Sequence, residues 1–193
     1  MTMSNPDDFA ALMSLSNNQL CQNNDAMMFV TVFMGMLDLK TGEFTFVNGG
    51  HNPPVVYHKA TNSYEYLKVA KNFVLGGMED IDFIQQSIKL EKDDRIIFCS
   101  DGVTQSGLGG GRLKLGLRRE GLINILQEKL NENPDVSSTE LSQYIVNQAR
   151  NIETDRLPKD DISACVLYFR EPRPALVFTG PPFHQEKDLE YAK

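Results

Sequence analysis

The sequence predicts an α+β layered fold in one domain, and three observations carry that prediction. Short runs rich in β-branched and aromatic residues follow one another between 28 and 99, separated by turn-forming residues. Helical patterns lie on the two flanks of this strand block, so strict strand-helix-strand alternation is missing. At 193 residues with 41% hydrophobic content, the chain can bury one good core, or one core with appendages, and is too short for two comfortable domains.

The first helix is predicted over 5–24. Ser4, Asn5 and Pro6 mark its start, Phe9, Leu12, Met13, Leu15 and Leu20 recur near helical spacing, and Asn23-Asn24 ends it. Two strands follow, "MFVTVFMGMLD" (28–38) and "EFTFVNGG" (43–50). They flank Leu39-Lys40-Thr41-Gly42, whose glycine can supply the positive φ of a hairpin turn, so the two are read as an antiparallel pair. Further strands are read at 55–58, 64–68 and 83–90, the first two separated by the turn-forming Ala60-Thr61-Asn62-Ser63. Within 83–90, Phe83, Gln85, Ser87 and Lys89 alternate with Ile84, Gln86, Ile88 and Leu90, a half-buried pattern. Lys92-Asp93-Asp94 then turns the chain into 95–99, where near-continuous apolarity implies a strand covered on both faces.

Four of the five residues at 107–111 are glycine. No GxGxxG or GxxxxGK[ST] motif follows a strand, so a flexible surface loop is a better reading than a nucleotide cradle. Helices are predicted over 119–130, with Leu122, Ile123, Ile125, Leu126 and Leu130, and over 136–152, which opens on the capping residues Ser137-Ser138-Thr139-Glu140. "DDISACVLYF" (160–169) returns as a buried strand re-entering the sheet. From Arg170 prolines and polar residues break the pattern. The domain is therefore expected to span 1–171, with 172–193 a tail or a linker cut short.

A formal charge of −7 argues against a nucleic-acid partner, because phosphate-backbone binding draws on clustered Lys and Arg. The nearest basic cluster, Arg112, Lys114, Arg118 and Arg119, reads as a solvated loop and helix start. Cys21, Cys99 and Cys165 are widely spaced with no CxxC, which suggests neither a disulfide framework nor a zinc site. Cys99 and Cys165 lie in apolar runs and are expected to be buried and unreactive, as suits a reducing, cytoplasmic setting. The longest strongly apolar run, 27–37, has eleven residues, against the ~20 needed to span a bilayer. No charged-then-apolar leader opens the chain.

Two strands meet acidic residues at their ends. The run 95–99 delivers Asp101, and the run 162–169 starts from Asp160-Asp161. If the two strands are neighbours, these carboxylates converge at one rim, where they suit a hard divalent cation such as Mg²⁺ or Mn²⁺ and a hydrolytic water. On spacing alone turn chemistry explains both features and is the favoured reading, since Asp-Gly is a common turn and Asp before a strand often caps it. His51 invites a general-acid role, but "GHNPP" is also what a tight, proline-locked turn contains, and the turn is the favoured reading.

Four segments in one order carry a resemblance. "FVTVFMGMLDLKTGEFTFVNGGHNPPVVY" (29–57), "LGG" (75–77), "KDDRIIFCSDGVTQS" (92–106) and "DDISACVLY" (160–168) resemble the bacterial stage-II-sporulation-E-like branch of the metal-dependent PPM serine/threonine protein phosphatases, the group that includes sigma-factor regulators. The resemblance covers about residues 5–170. It implies an antiparallel β-sandwich flanked by helices, with two Mn²⁺ or Mg²⁺ ions at one end of the sheets. The implied reaction is hydrolysis of phosphoserine or phosphothreonine on a regulatory protein of the anti-sigma-factor-antagonist type. Asp101, followed by Gly102 at the metal-adjacent turn, matches a metal-binding aspartate. Asp160 matches the aspartate on the same ion, with Asp161 beside it as an outer or alternative ligand. No side chain is assigned a covalent or acid-base role, and a homodimer is allowed.

The chain also departs from the family pattern. The family's "GD" strand end and "DGxGHG"-type segment, which supplies the aspartate bridging both metals, are not found in it. The expectation is weak metal binding, because the remaining carboxylates face one ion at most. The sequence is compatible with a fragment of a longer phosphatase, with a chain completed by another, or with a non-catalytic binding module of a signalling pathway.

Overall fold

The computed structural model describes residues 8–22, 24–105, 117–152 and 160–170. The expected glycine-rich loop at 107–111, the helix start at 4–6 and the tail at 172–193 lie outside the described residues.

Strands β1 (Val32–Leu37) and β2 (Glu43–Gly49) form the expected hairpin, with Val32 opposite Gly49 and Leu37 opposite Phe44. Its turn is closed by the Asp38 carboxylate, which accepts from the Lys40 and Thr41 N–H groups at 2.7 and 3.2 Å, and by Gly42 at φ +76°. Those backbone donors, Lys40 first, hold the Asp38 carboxyl below its ordinary range. Strands β3 (Val55–His58) and β4 (Ser63–Tyr66) make a second hairpin. Strand β5 (Gln86–Lys89) pairs with β2, while β6 (Asp94–Cys99) lies between β3 and β7 (Ala164–Phe169). The described strands thus form two antiparallel sheets, ordered β1-β2-β5 and β4-β3-β6-β7.

Alternation along the strands builds three apolar layers. Phe44 and Phe46 of β2 face Val56, Ile96 and Phe169 of the other sheet, and Phe33 sits with its ring centroid 5.3 Å from Phe46 and 5.4 Å from Phe98. This layer joins the sheets into a sandwich. On the outer face of the four-stranded sheet, Val55, Tyr57, Ile97 and Cys99 pack under α3 (Arg118–Glu132) and α4 (Ser138–Ile152) through Leu122, Leu126, Leu141 and Ile145. On the outer face of the three-stranded sheet, Val47 meets Met13 of α1 (Phe9–Cys21) together with Leu75 and Phe83. Strand β6 is therefore covered on both faces, as its sequence predicts.

Local chemistry accounts for the helix ends. The Ala11 N–H donates to Asp8 Oδ1 at 2.9 Å at the start of α1. At α4, the Glu140 N–H donates to Ser137 Oγ at 3.2 Å while the Ser137 N–H donates to Glu140 Oε2 at 3.1 Å, a reciprocal capping box. The buried Asn17 of α1 accepts from the Gly76 N–H at 2.9 Å and donates to the Met78 carbonyl at 2.7 Å, fixing the "LGG" segment to the helix. Arg95, 1% exposed, donates to the Val136 and Pro134 carbonyls at 3.0 Å each and stacks 4.2 Å over Tyr168, which ties the α3–α4 connection to the sheet.

Three strands start inside their sequence limits. Strand β7 starts at Ala164, not at 160, and as a strand at the end of its sheet it buries Phe169 but leaves Cys165 exposed. Strand β1 starts at Val32, not at 28, because Met27, Met28, Phe29 and Val30 run exposed alongside α1 and the "LGG" segment. Strand β5 starts at Gln86, and the alternation breaks before it. Phe83 packs under α1 while Ile84 is 56% exposed.

Candidate active-site rim

Antiparallel pairing sets the C-terminal end of β6 beside the N-terminal end of β7, with Cys99 opposite Ala164. Just past that pair, Ser100 knots the two arms. Its N–H donates to the Ser163 carbonyl at 3.0 Å, its hydroxyl donates to the Asp161 carbonyl at 2.8 Å, and that same oxygen accepts from the Ser163 N–H at 3.0 Å. The next residues form α2 (Asp101–Thr104), a single helical turn rather than the tight turn the Asp-Gly pair predicts. The reason is local. Ser100 sits extended at the N-cap, Asp101 takes the acidic first-turn position, and the Asp101 carbonyl accepts from the Gln105 N–H at 2.7 Å.

Gly102 explains why this junction needs a glycine. A Cβ there would lie 2.4 Å from the Asp161 carbonyl oxygen and 3.0 Å from its carbon, so the backbones of the two arms are in direct contact. Asp101 and Asp161 are thereby brought together at one rim. Asp101 is half-buried, while Asp160 and Asp161 are exposed, and Asp160 Oδ1 accepts from the Asp161 N–H at 2.8 Å.

Strand β3 pairs with β6 from Val55 opposite Ile97 to Tyr57 opposite Arg95. His51 is half-buried in the segment between β2 and β3. Its N–H donates to Asn48 Oδ1 and its carbonyl accepts from Asn48 Nδ2, both at 2.9 Å, and its Nδ1 lies 3.2 Å from Thr31 Oγ1. Ser100, Asn48 and Thr31 are the residues that sequence reasoning missed. The signals available were a hydroxyl just before "DG" and an Asn three places before the His.

Cys99, next to Ser100, gives no competing chemistry. Burial, reinforced by Cys165, pushes the Cys99 thiol up to about 12, which keeps it protonated and inert. Cys165 is exposed, contrary to expectation, because it lies at the rim end of β7, the edge strand of its sheet.

The donor set fits a hard cation only in part. Asp101 with Asp160 or Asp161 supplies carboxylate oxygens on rigid arms, which suits an ion that keeps several waters. Among the described residues, however, no group of three or more His, Cys, Asp and Glu side chains could hold a metal. No helix among them is long and apolar enough to cross a membrane.

The family model for stage II sporulation protein E (SpoIIE) matches residues 2–170, nearly the whole chain. The chain belongs to the SpoIIE family. It is 32% identical over 151 residues to the phosphoserine phosphatase RsbU of Bacillus subtilis, a match covering 78% of this chain and 42% of that protein. The chain thus spans less than half the length of this curated relative. The solved RsbU and RsbW domains of Rv1364c from Mycobacterium tuberculosis superpose with a TM-score of 0.62 at 21% identity, covering 81% of this chain and 41% of that one. The manganese-presoaked phosphatase domain of SpoIIE from Bacillus subtilis gives a TM-score of 0.60 at 16% identity, covering 89% and 70%. The expected sandwich is the fold of the solved SpoIIE phosphatase domain.

Proposed function

We propose that this domain hydrolyses a phosphoserine or phosphothreonine monoester on a bacterial regulatory protein, at the rim where β6 and β7 meet. The observation that carries the reading is the backbone contact of Gly102 with Asp161, which holds Asp101 and the Asp160-Asp161 pair as one unit. In this reading Asp101 and Asp160 hold Mn²⁺ or Mg²⁺, with Asp161 as the outer or alternative ligand. A divalent ion bound there supplies an acidified water and charge neutralisation for the phosphoryl group. The chain's own residues supply placement. Ser100 fixes both arms through main-chain atoms, so their backbones are set before any substrate arrives.

The names of the relatives support the substrate class. One is named a phosphoserine phosphatase, and another joins RsbU and RsbW domains in one structure, which supports a phosphorylated antagonist of an anti-sigma factor as the partner. The domain in this reading runs over 1–171, with 172–193 as tail or linker. Asp101→Asn abolishes Mn²⁺-dependent phosphate release from a phosphoserine protein, and unchanged release from the variant would remove the proposal.

A second reading is favoured by the incomplete donor set. Here the domain binds its partner without turning it over. Calorimetric titration of the chain with Mn²⁺ separates the two. Saturable binding at millimolar metal supports the enzyme, and its absence, with partner binding kept, supports the binding module.

A further inference from the structure

We propose that the phosphoprotein is held by strand addition: the stretch preceding its phosphorylated residue pairs, extended and antiparallel, with the free edge of β7 in the cleft beside α4. That placement rests on the hydrolytic reading above and deepens it by naming where the partner's chain lies. Strand β7 ends its sheet and pairs only with β6 among the described residues. The Ser100 N–H donates to the Ser163 carbonyl, and the register runs on without a bulge from Cys99 opposite Ala164 to Asp94 opposite Phe169. Alternate residues of an antiparallel ladder turn their main-chain groups to the neighbouring strand. Cys165 and Leu167 therefore turn theirs to β6, while Ala164, Val166 and Tyr168 turn an N–H and a C=O each to the open side. Sheet edges are commonly blunted by Lys, Pro or a bulge. The run "ACVLYF" (164–169) has no charge and no proline, so this edge is left ready to pair.

Helix α4 shapes the space beside the edge. Leu141, Ile145 and Ala149 form one helical stripe, buried against the sheet. The stripe next to it, Ser142, Gln143, Val146, Asn147 and Arg150, lines an open cleft of about 280 Å³ together with Ala164 of β7. Gln143, Asn147 and Arg150 are exposed, and their side chains make no hydrogen bond or ion pair among the described residues. Two carboxamides suit the alternating donors and acceptors of an extended main chain, and a guanidinium suits an acidic side chain. Continuity with the candidate site selects the occupant. Strand β7 grows out of the Asp160-Asp161 arm, so a strand laid antiparallel on its edge ends, C-terminally, at the carboxylates. The residue that follows the docked stretch is then the one presented at the rim. A second copy of this chain would fill the same edge without bringing a phosphate to the aspartates.

The test is an N-methyl scan read as binding. A fluorescein-labelled peptide carries a stretch of valine and threonine with one glutamate, ends in phosphoserine, and is titrated with the 193-residue chain by anisotropy. Methylating one backbone nitrogen at a time removes a donor and adds bulk at the edge. Affinity falls about tenfold at every second position and stays near the parent value between them. Loss at every position, loss at none, or no binding of the parent peptide overturns the proposal. Amide hydrogen exchange reads the other side of the ladder. The peptide slows exchange at Ala164, Val166 and Tyr168, and unchanged exchange at all three overturns the proposal. Arg150→Glu weakens the glutamate peptide several-fold and favours one with lysine in that place, whereas the same preference in both proteins puts the peptide outside the cleft and overturns it. Should a peptide that binds with the period-two pattern release no phosphate with Mn²⁺, the hydrolytic reading fails by itself and the docking stands. Release without the pattern removes the docking and leaves the hydrolytic reading.

Discussion

Among the described residues, the four-stranded sheet carries α3 and α4 over its outer face, whereas the three-stranded sheet has α1 and ends at β1. On the first side, Leu122, Leu126, Leu141 and Ile145 are all at most 1% exposed. On the second, Met27, Met28 and Phe29 are 86%, 70% and 65% exposed where the chain approaches β1. The contrast separates two tasks. The helix-covered side fixes the carboxylate arms of the rim, and the thinner side holds the His51 corner through Thr31 and Asn48. Stability and the carboxylate rim therefore come from the same packing.

Substitutions can break or sharpen that contrast. The largest effect is expected at Leu126→Ala, which opens a cavity under α3 and costs about 2–5 kcal/mol in chemical denaturation. Gly102→Ala comes next. Its Cβ meets the Asp161 carbonyl, so the arms must part at a cost of about 1–3 kcal/mol, with metal-dependent activity lost even where the fold survives.

Ser137→Ala removes the α4 capping box and lowers Tm by a few degrees at neutral pH. The Ser137 hydroxyl and then its N–H hold the Glu140 carboxyl below its ordinary range, so this contribution is present above the unfolded carboxyl value and is lost as pH falls through the folded one. The Tm gap between wild type and variant accordingly narrows as the Glu140 carboxylate is protonated and does not close, because the Ser137 hydroxyl still accepts from the Glu140 N–H in the wild type. The smallest effect belongs to the double variant Met27→Ser and Phe29→Ser, expected to stay within about 0.5 kcal/mol of wild type because neither side chain is buried. A loss of several kcal/mol there would mean that the exposed segment is packed against something in solution.

Much of this architecture is legible in the residues, because burial writes a period into the sequence. Strands β2, β3, β6 and β7 and helices α3 and α4 are each packed on at least one face, and their patterns give their limits to within a few residues. Legibility fails where apolar residues are not buried. Met28 and Phe29 look like strand but bridge to the "LGG" segment at Val30 and Leu75, and Cys165 sits in an apolar run yet lies at an open edge. At the rim, the aspartates could be found from their places at strand ends. The Ser100 knot and the Asn48 clamp could not, because each depends on which loops the sheet order brings together.

Ser100 joins the two arms through its own hydroxyl and amide and through main-chain atoms of residues 161 and 163, with no carboxylate involved. The Ser100 knot is thus independent of the acidic side chains beside it, although the Asp160 carboxylate also holds the Asp161 N–H. Exchange of Asp101 for a neutral residue would leave the knot intact. A lineage of such domains could drift from turnover to recognition through single changes, each member keeping the outline its partners know.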